Sequence, residues 1–575
     1  MLRNARKFLS ILRGRPAAAG KSSDAAASLA GVEAQRVARI AARAFAGGPD
    51  GPEEDVETGG PVYIGLRTAG KRLWAGWLDR RTLAEVFSGA LAESGVDGAV
   101  VDAIEICSCH DERPVPVNRF DNAFPGSRRG LDGMTIRHGG SVRRFAPTEA
   151  IATNRGFARQ FEVTLADRKV GQDEFFETGG EILKFLSRRL LVFLSEEGAR
   201  AVELHRGNRV VDPGSVGPET VAAMIAAMGA WMARNCGDDG RMTYKYWPSR
   251  GEYSKANNTI RQFMASVCLA EIARREGTAE AARRVRRNLS HNLDRFLRVA
   301  DGVGSIEYDG SAKLGAAALA GLAILKLADR SEFAEPFDAL VRGVAALWCQ
   351  DGSFRTFHKP ADRNDNQNFY PGEALLFWAE LYGATGDPEL LDRILRSVAW
   401  YRDWHRDNPN PAFVPWHSQA CVRLFELTGG AGLADHVFAM NDWLLSMQQW
   451  EDAPSPDLMG RFYDPKRPQF GPPHASSTGA YLEGLAAACR LAERVGDEAR
   501  LDTYGRAIWR GIRSLRQLQF LDEVDCFYIS KRSRVMGGLR TETYDNEIRV
   551  DNVQHGLMAL LALDALGPRF RSLGS

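Results

Sequence analysis

A chain of 575 residues, 44% hydrophobic and 26% charged, has the composition of an ordinary globular protein with ample apolar material for a large core. Lys+Arg 74 against Asp+Glu 73 leaves a net charge of +1, so no basic excess points to a nucleic-acid partner. No apolar run reaches the length of a membrane span, and eight scattered cysteines fit neither a disulfide scaffold nor a paired zinc motif.

Residues 1–28 open on a basic, weakly amphipathic stretch, MLRNARKFLSILRGR, followed by Ala and Ser. It lacks the apolar core and cleavage site of a secretory signal, so a disordered terminus and a cytoplasmic location are expected. From 29 to 206 strand-like and helical pieces alternate, which predicts an α+β domain. A helix at 33–45 leads, and PVYIGLRT and KRLWAGWL (61–68 and 71–78) read as a hairpin turning at Ala69-Gly70. A helix at 82–94, a strand at 99–109 and a second hairpin at 133–147 follow. Further helices are expected at 149–166 and 182–193.

Beyond residue 215 the pattern becomes purely helical. Twelve amphipathic stretches are predicted: 219–236, 259–277, 280–300, 312–329, 332–350, 372–383, 388–406, 413–428, 433–450, 477–495, 498–519 and 553–566. The even members are small and apolar nearly all round, as in KLGAAALAGLAILKLA; the odd ones carry stripes of charge, as in RRVRRNLSHNLDRFLRVA. A helix apolar all round is buried, whereas one with a polar face looks outward. Six inner–outer pairs predict an all-α (α/α)6 toroid over 215–570. Evenly spaced TPR or HEAT repeats are the rival, and these repeats are longer and more variable.

Short turns such as Glu276-Gly277 and Gly386-Asp387 leave the inner helices, while long loops rich in aromatic, Asn, Asp and His residues enter them. In a closed ring these entering loops share one mouth, where function is expected. They carry Tyr244, Tyr246, Asn257, Asp309, Lys313, Tyr370, Glu373, Trp416, His417, His474, Glu483, Asp545, Arg549, Asp551 and His555. Aromatic faces stack on sugar rings, and amides, carboxylates and guanidinium groups bind hydroxyls, so the lining suits a carbohydrate ligand. The expected catalytic groups are Glu373, Asp551, His555, His474 and Tyr370. Tyr244, Tyr246, Asn257, Asp309, Lys313, Trp416, His417, Asp545 and Arg549 are expected to bind substrate. Glu373 sits one turn after Tyr370 as an acid candidate or a first-turn helix charge. Asp551 and His555, four apart on one helix face, form an acid–base pair unless Asp551 is the N-cap. His417, His474 and His555 lack metal-ligand spacing, and no cofactor is expected.

Three features of the first region carry a resemblance: the leading helix, TLAEVFSGAL (82–91) after a strand pair, and GLDGMTIRHGGSVRRFAP (130–147). On these it resembles the AMMECR-type domain. That family's Leu-Arg-Gly-Cys-Ile-Gly run is replaced by Leu73-Trp74-Ala75-Gly76-Trp77-Leu78, so no thiol chemistry carries over. In overall pattern the helical region resembles six-hairpin glycosidases and the uronyl and N-acylglucosamine epimerases. QDGSF at 350–354 is similar to a squalene-cyclase repeat, but the Asp-rich elements of those enzymes are absent, as are the zinc-binding motifs of LanC-like cyclases. The resemblance implies a glycoside hydrolase, lyase or epimerase acting on a uronic-acid-containing or amino-sugar saccharide. A non-catalytic binding or assembly component of a polysaccharide or modified-peptide pathway is the alternative. The first domain offers a surface for a protein partner.

Overall fold

The computed structural model of the chain describes residues 29–46 and 55–566. The tail expected at 1–28 lies outside them.

The first domain comprises α1 (Ala34–Ala46), β1 (Val62–Thr68), β2 (Lys71–Leu78), α2 (Leu83–Ser94), β3 (Ala103–Ser108), β4 (His110–Pro114), α3 (Phe120–Ala123), β5 (Gly133–His138) and β6 (Ser141–Phe145). It continues through α4 (Pro147–Ala152), α5 (Phe157–Arg168), α6 (Gln172–Glu177), β7 (Glu181–Leu186), β8 (Arg189–Ser195) and β9 (Gly198–Glu203). Two antiparallel sheets result, ordered β2-β1-β3-β8-β9 and β4-β7-β5-β6. The first hairpin turns at Ala69 and Gly70, both at positive φ. Thr82 caps α2 in a capping box with Glu85, and left-handed Gly95 ends it. One face of the five-stranded sheet presents Val62, Ile64, Leu66, Ile104 and Ile106 to α1 and α2.

The helix expected at 182–193 is not formed. Those residues make β7 and β8, which belong to different sheets. Leu190, Leu191 and Val192 are all buried, because β8 lies between β3 and β9 and is covered on both faces. A strand buried on both faces loses its alternation, and a short apolar run then has no period to separate it from a helix.

The ring comprises α7 (Pro218–Asn235), α8 (Thr259–Glu276), α9 (Ala279–Phe296), α10 (Leu314–Leu325), α11 (Ala334–Ala346), α12 (Tyr370–Thr385), α13 (Pro388–Asp407), α14 (Val414–Thr428), α15 (Ala431–Leu445), α16 (Ala475–Val495), α17 (Glu498–Leu518) and α18 (Val550–Asp564). Helices α8, α10, α12, α14, α16 and α18 each pack on the next, and α18 returns to α8, closing the ring. The other six lie outside: α9, α11, α13, α15 and α17 on their preceding inner partners, and α7 on α18. Burial follows this assignment. Every residue of α10 from Leu314 to Ile324 is buried, whereas α9 buries one stripe including Val285, Leu289, Leu293 and Phe296. Left-handed Gly277, Gly386, Gly429 and Gly496 end α8, α12, α14 and α16. Thr278, Asp387 and Asp497 then cap the outer helices that follow.

Inner helices approach closely at the mouth end. A Cβ on Gly479 of α16 would lie 2.7 Å from the backbone nitrogen of Gly556 on α18. Gly479→Ala is therefore expected to lose about 1–3 kcal/mol through overpacking, outweighing the ~1 kcal/mol of helix propensity gained; urea unfolding measures the balance.

The entering loops form short sheets at the mouth. β10 (Lys245–Trp247), β11 (Glu252–Tyr253), β16 (Arg540–Glu542) and β17 (Asp545–Arg549) make one, ordered β11-β10-β17-β16. β12 (Leu297–Ala300), β13 (Val303–Tyr308), β14 (Ser311–Lys313) and β15 (Phe357–Lys359) make another, so the helix expected to reach residue 300 stops at Phe296.

The first domain is docked on two of these loops. Arg206 and Asp457 form a fully buried ion pair, with Arg206 Nε 2.5 Å from Oδ2, and Nη1 donates to the carbonyls of Ser127 and Arg129 at 2.7 Å. Asn154 donates to Asp545 at 2.9 Å, and Asn546 donates to the Ile151 carbonyl at 2.8 Å. Among the described residues no helix is long and apolar enough to cross a membrane.

Candidate functional site

A cavity of about 120 Å³ opens at the mouth between α8, α14, α16 and α18. Phe369, Trp416, Phe462, Tyr463, Phe470 and Tyr481 give it an aromatic wall; Arg261, Asp464, Arg467, His474, Ser476, Ser477 and His555 supply polar groups.

Two histidines face this space in opposite states. His474 is the N-cap of α16, and its Nδ1 accepts from the backbone N–H of Ser477 at 3.0 Å. A backbone N–H can only donate, so the proton of the neutral ring is assigned to Nε2. Burial, then the Arg549 charge, lowers its pKa to about 4, so it stays neutral at neutral pH. His555 Nδ1 lies 2.7 Å from Oε1 of Glu483, and both residues are buried. With Glu483 ionised, its carboxylate is assigned as acceptor of the Nδ1 proton, and the neutral ring then presents the lone pair of Nε2. Burial raises the Glu483 pKa, and His555 opposes that shift. The His555 ring meets Trp416 edge-on at 6.1 Å.

Beneath the cavity, Asp551 is fully buried and shared by two guanidinium groups. Arg549 grips it through Nε at 2.9 Å and through Nη2, and Arg261 Nε approaches Oδ2 at 2.9 Å. Burial alone would raise its pKa; Arg261 and Arg549 overcome that and hold it well below the usual carboxylate range. Arg549 Nη2 also donates to Ser476 Oγ at 3.3 Å, whose hydroxyl lies 2.8 Å from His474 Nδ1. Asp551, Arg549, Ser476 and His474 thus form one connected network.

A second polar group lies toward α10 and α12. Glu373 is buried and its Oε2 has no hydrogen-bond partner. Burial raises its pKa to about 7, against the pull of Arg261 and Lys313. Gly315 makes the room, since a Cβ there would fall 1.7 Å from Oε2. Burial and then Glu373 raise the Tyr370 pKa. Lys313 immediately precedes α10 and is half-buried, and burial followed by the Arg363 and Arg261 charges lowers its pKa.

The structure thus brings Trp416, His474 and His555 to the cavity wall, Glu483, Arg549 and Asp551 beneath it, and Lys313, Tyr370 and Glu373 to one side. Other expected residues lie elsewhere. His417 stacks 3.5 Å from Phe413 in the core beside α13, with both ring nitrogens unpartnered. Asp309 is exposed at the β13–β14 hairpin tip beside the end of α9. Tyr246 is buried against Tyr253 in β10. Asn257 accepts from Gln262 at 2.8 Å, Asp545 faces the first domain, and Tyr244, half-buried with its carbonyl bonded to the Val550 N–H, stays beside the site, its phenol near enough to Arg549 to act on that guanidinium.

Arg261 is absent from the residues expected at the mouth, although it links both polar groups. Its sequence signal is a cation in the first turn of an inner helix, three residues after the cap Asn258. The 459–470 stretch, which supplies Phe462, Tyr463, Arg467 and Phe470, is likewise absent from the residues expected at the mouth.

No family model and no curated protein sequence matches the chain. Solved structures do match at low identity. An alpha-1,6-mannanase, GH76A, from Salegentibacter sp. HEL1_6 is 12% identical, over 60% of this chain and 99% of its own, with a TM-score of 0.44. A D-mannose isomerase is 13% identical over 60% and 97%, TM-score 0.45. An unsaturated glucuronyl hydrolase from Bacillus sp. GL1 is 15% identical over 60% and 97%, TM-score 0.46. At this level of likeness the functional reading is left to the geometry of the mouth.

Proposed function

We propose that the chain is a carbohydrate-active enzyme that moves a proton on a sugar held in the mouth cavity, an epimerase-, isomerase- or lyase-type reaction rather than glycoside hydrolysis. The observation that carries this reading is the pair of cavity histidines in complementary states. His555 offers a lone pair at Nε2, backed by Glu483, and suits the base that abstracts a proton next to a carbonyl or carboxylate. His474 offers a neutral Nε2–H, whose depressed pKa suits a donor to the oxygen on which charge develops. Hydrolysis asks instead for two carboxyl groups flanking the bond. Among the described residues lining the cavity the only carboxylate is Asp464, which pairs with Arg467 at 3.4 Å.

In this reading Asp551 orients Arg261 and Arg549 and passes no proton, because both its oxygens are occupied by guanidinium groups. Glu373, with a pKa near 7, and Tyr370 form a second proton-holding pair on the far side of Arg261. Trp416 and the other aromatic residues supply the stacking surface. The cavity, smaller than the ~300–1,000 Å³ of drug-sized pockets, suits one sugar ring.

The test is a panel of mono- and oligosaccharides incubated with the protein in D2O, followed by mass spectrometry and NMR. Deuterium should enter the sugar at a single carbon. His555→Gln should lower the rate about 10²–10⁴-fold while leaving sugar binding measurable. New reducing ends without deuterium uptake would reassign the site to hydrolysis. Binding without turnover would move the protein to the alternative, a non-catalytic binding component of a polysaccharide or modified-peptide pathway.

A further inference from the structure

The β16–β17 hairpin delivers Arg549 to the mouth, and its two strands are anchored differently. β16 is held by the ring itself, through an ion pair of Glu542 with Arg461 at 3.3 Å in which both side chains are buried. β17 is held at its two ends. Its last residues, Ile548 and Arg549, pair with Tyr246 and Lys245 of β10. Its first, Asp545 and Asn546, are gripped by the first domain.

Asn154, two residues past α4, makes most of that grip. Arg129 donates to its Oδ1 at 2.8 Å, and the Asn546 N–H donates to the same oxygen at 3.3 Å. Both partners can only donate, which turns the amide nitrogen toward Asp545, whose Oδ1 it meets at 2.9 Å. That oxygen also accepts the N–H of Glu547 at 3.1 Å, so the contact fixes the backbone of the strand as well. Asn154 takes a left-handed backbone, φ 54°, which Asn adopts more readily than most residues. From Asp545 the strand spans about 13 Å to Arg549. Paired on both edges, by β10 and by β16, it is a stiff link.

We propose that Asn154 is a positioning residue for the mouth: it fixes the start of β17, and through that strand the guanidinium of Arg549 that holds Asp551 and Ser476. Ser476 in turn meets His474 Nδ1 at 2.8 Å, so the donor histidine is aligned from the other domain. The first domain is thereby part of the working site, an inference that rests on the proton-transfer reading above. Asn154 touches none of the aromatic wall, so it bears on turnover and not on sugar binding.

The test compares Asn154→Gly, Asn154→Asp and the double variant Asn154→Asp, Asp545→Asn in the full-length protein. Glycine keeps the left-handed backbone and removes the amide alone. Asn154→Asp sets two carboxylates against each other, and the double variant restores a donor and an acceptor with their roles exchanged. Both single variants should lower kcat for deuterium incorporation about 10–100-fold with KM within about threefold of the parent's, since misplacing a group by about 1 Å costs rate on this scale. Hydrogen exchange read by mass spectrometry should rise over 543–551 and not elsewhere in the ring. The double variant should return both readouts close to the parent's. A kcat unchanged by either single variant, exchange rising across the whole ring, or a double variant no better than Asn154→Asp would overturn the inference and leave the sugar reading intact. A parent that takes up no deuterium would overturn the sugar reading, and exchange over 543–551 with its rescue then decides whether Asn154 holds Arg549.

Discussion

Asp457→Ala is expected to remove about 3–5 kcal/mol of stability, because it strands a guanidinium inside the protein. Arg206 and Asp457 both have fully buried side chains. The acid is further held by Ser455, whose hydroxyl donates to Oδ1 at 2.7 Å and lies 2.8 Å from His205 Nε2. Arg206 would keep its bonds to the carbonyls of Ser127 and Arg129 but lose the only ion-pair partner it has among the described residues. Against a total stability of about 5–15 kcal/mol this is a large fraction. The effect should also reach the mouth, since the loop that begins at Asp457 runs on through Phe462, Tyr463 and Arg467 to His474. Urea unfolding followed by tryptophan fluorescence measures the loss. The double variant Arg206→Met, Asp457→Leu should recover much of it, because two apolar side chains leave no orphan charge. A loss below about 1 kcal/mol, or a double variant as unstable as the single one, would contradict the assignment.

That docking was not visible in the sequence. Arg206 and Asp457 are far apart along the chain, and neither lies in a pattern that marks it. The ring was visible, because its grammar is local: α10 is apolar on every side, α9 is striped, and a glycine ends each of four inner helices. Local grammar fails where burial erases period, as in β8, and where a strand is only two or three residues long, as in β10, β11 and β14.

The mouth shows the same division. Position at an inner-helix N-terminus was enough to place His474, His555, Trp416 and Glu373 at the mouth end of the ring, since that follows from topology alone. It did not separate Trp416 from His417. Adjacent residues on a helix point about 100° apart, so when Trp416 lines the cavity His417 turns into the core. The spacing of Asp551 and His555 placed both on one face, yet their partners, Arg261 on α8 and Glu483 on α16, come from other helices. Which carboxylate is spent on an arginine and which backs a histidine depends on ring closure, a three-dimensional fact.

The core that receives His417 makes the protein sensitive to acid. His405, His417 and His436 are each at most 8% exposed. Burial lowers His405 and His436 to about 4 and carries His417 well below the ordinary histidine value; the neighbouring His charges push His417 and His436 the same way. Asp403, beside His436, opposes the shift there, while Arg402 reinforces it. In the unfolded chain all three take up protons near pH 6.5. Above that pH they are neutral in both states and cost nothing. As pH falls from about 6.5 toward 4 the unfolded chain binds protons that the fold refuses, so stability declines, by about 2–3 kcal/mol for each of His405 and His436. The buried acids Asp551 and Asp457, whose pKa values are depressed, add their own loss only below the ordinary Asp value near 4. Glu373, raised by burial to about 7, works the other way within the histidine window, because the fold takes up its proton before the unfolded chain does. His474, lowered like His405 to about 4, offsets it and leaves the core histidines to set the net decline. Urea midpoints at pH 7.5, 6.5, 5.5 and 4.5 should fall steadily through this range. His405 stacks on Phe413 at 4.3 Å, so His405→Phe keeps the ring contact while removing one titrating group, and it should flatten the decline. Midpoints that hold between pH 7 and 5, or a variant with the parent's slope, would mean that these histidines are not held neutral by the core.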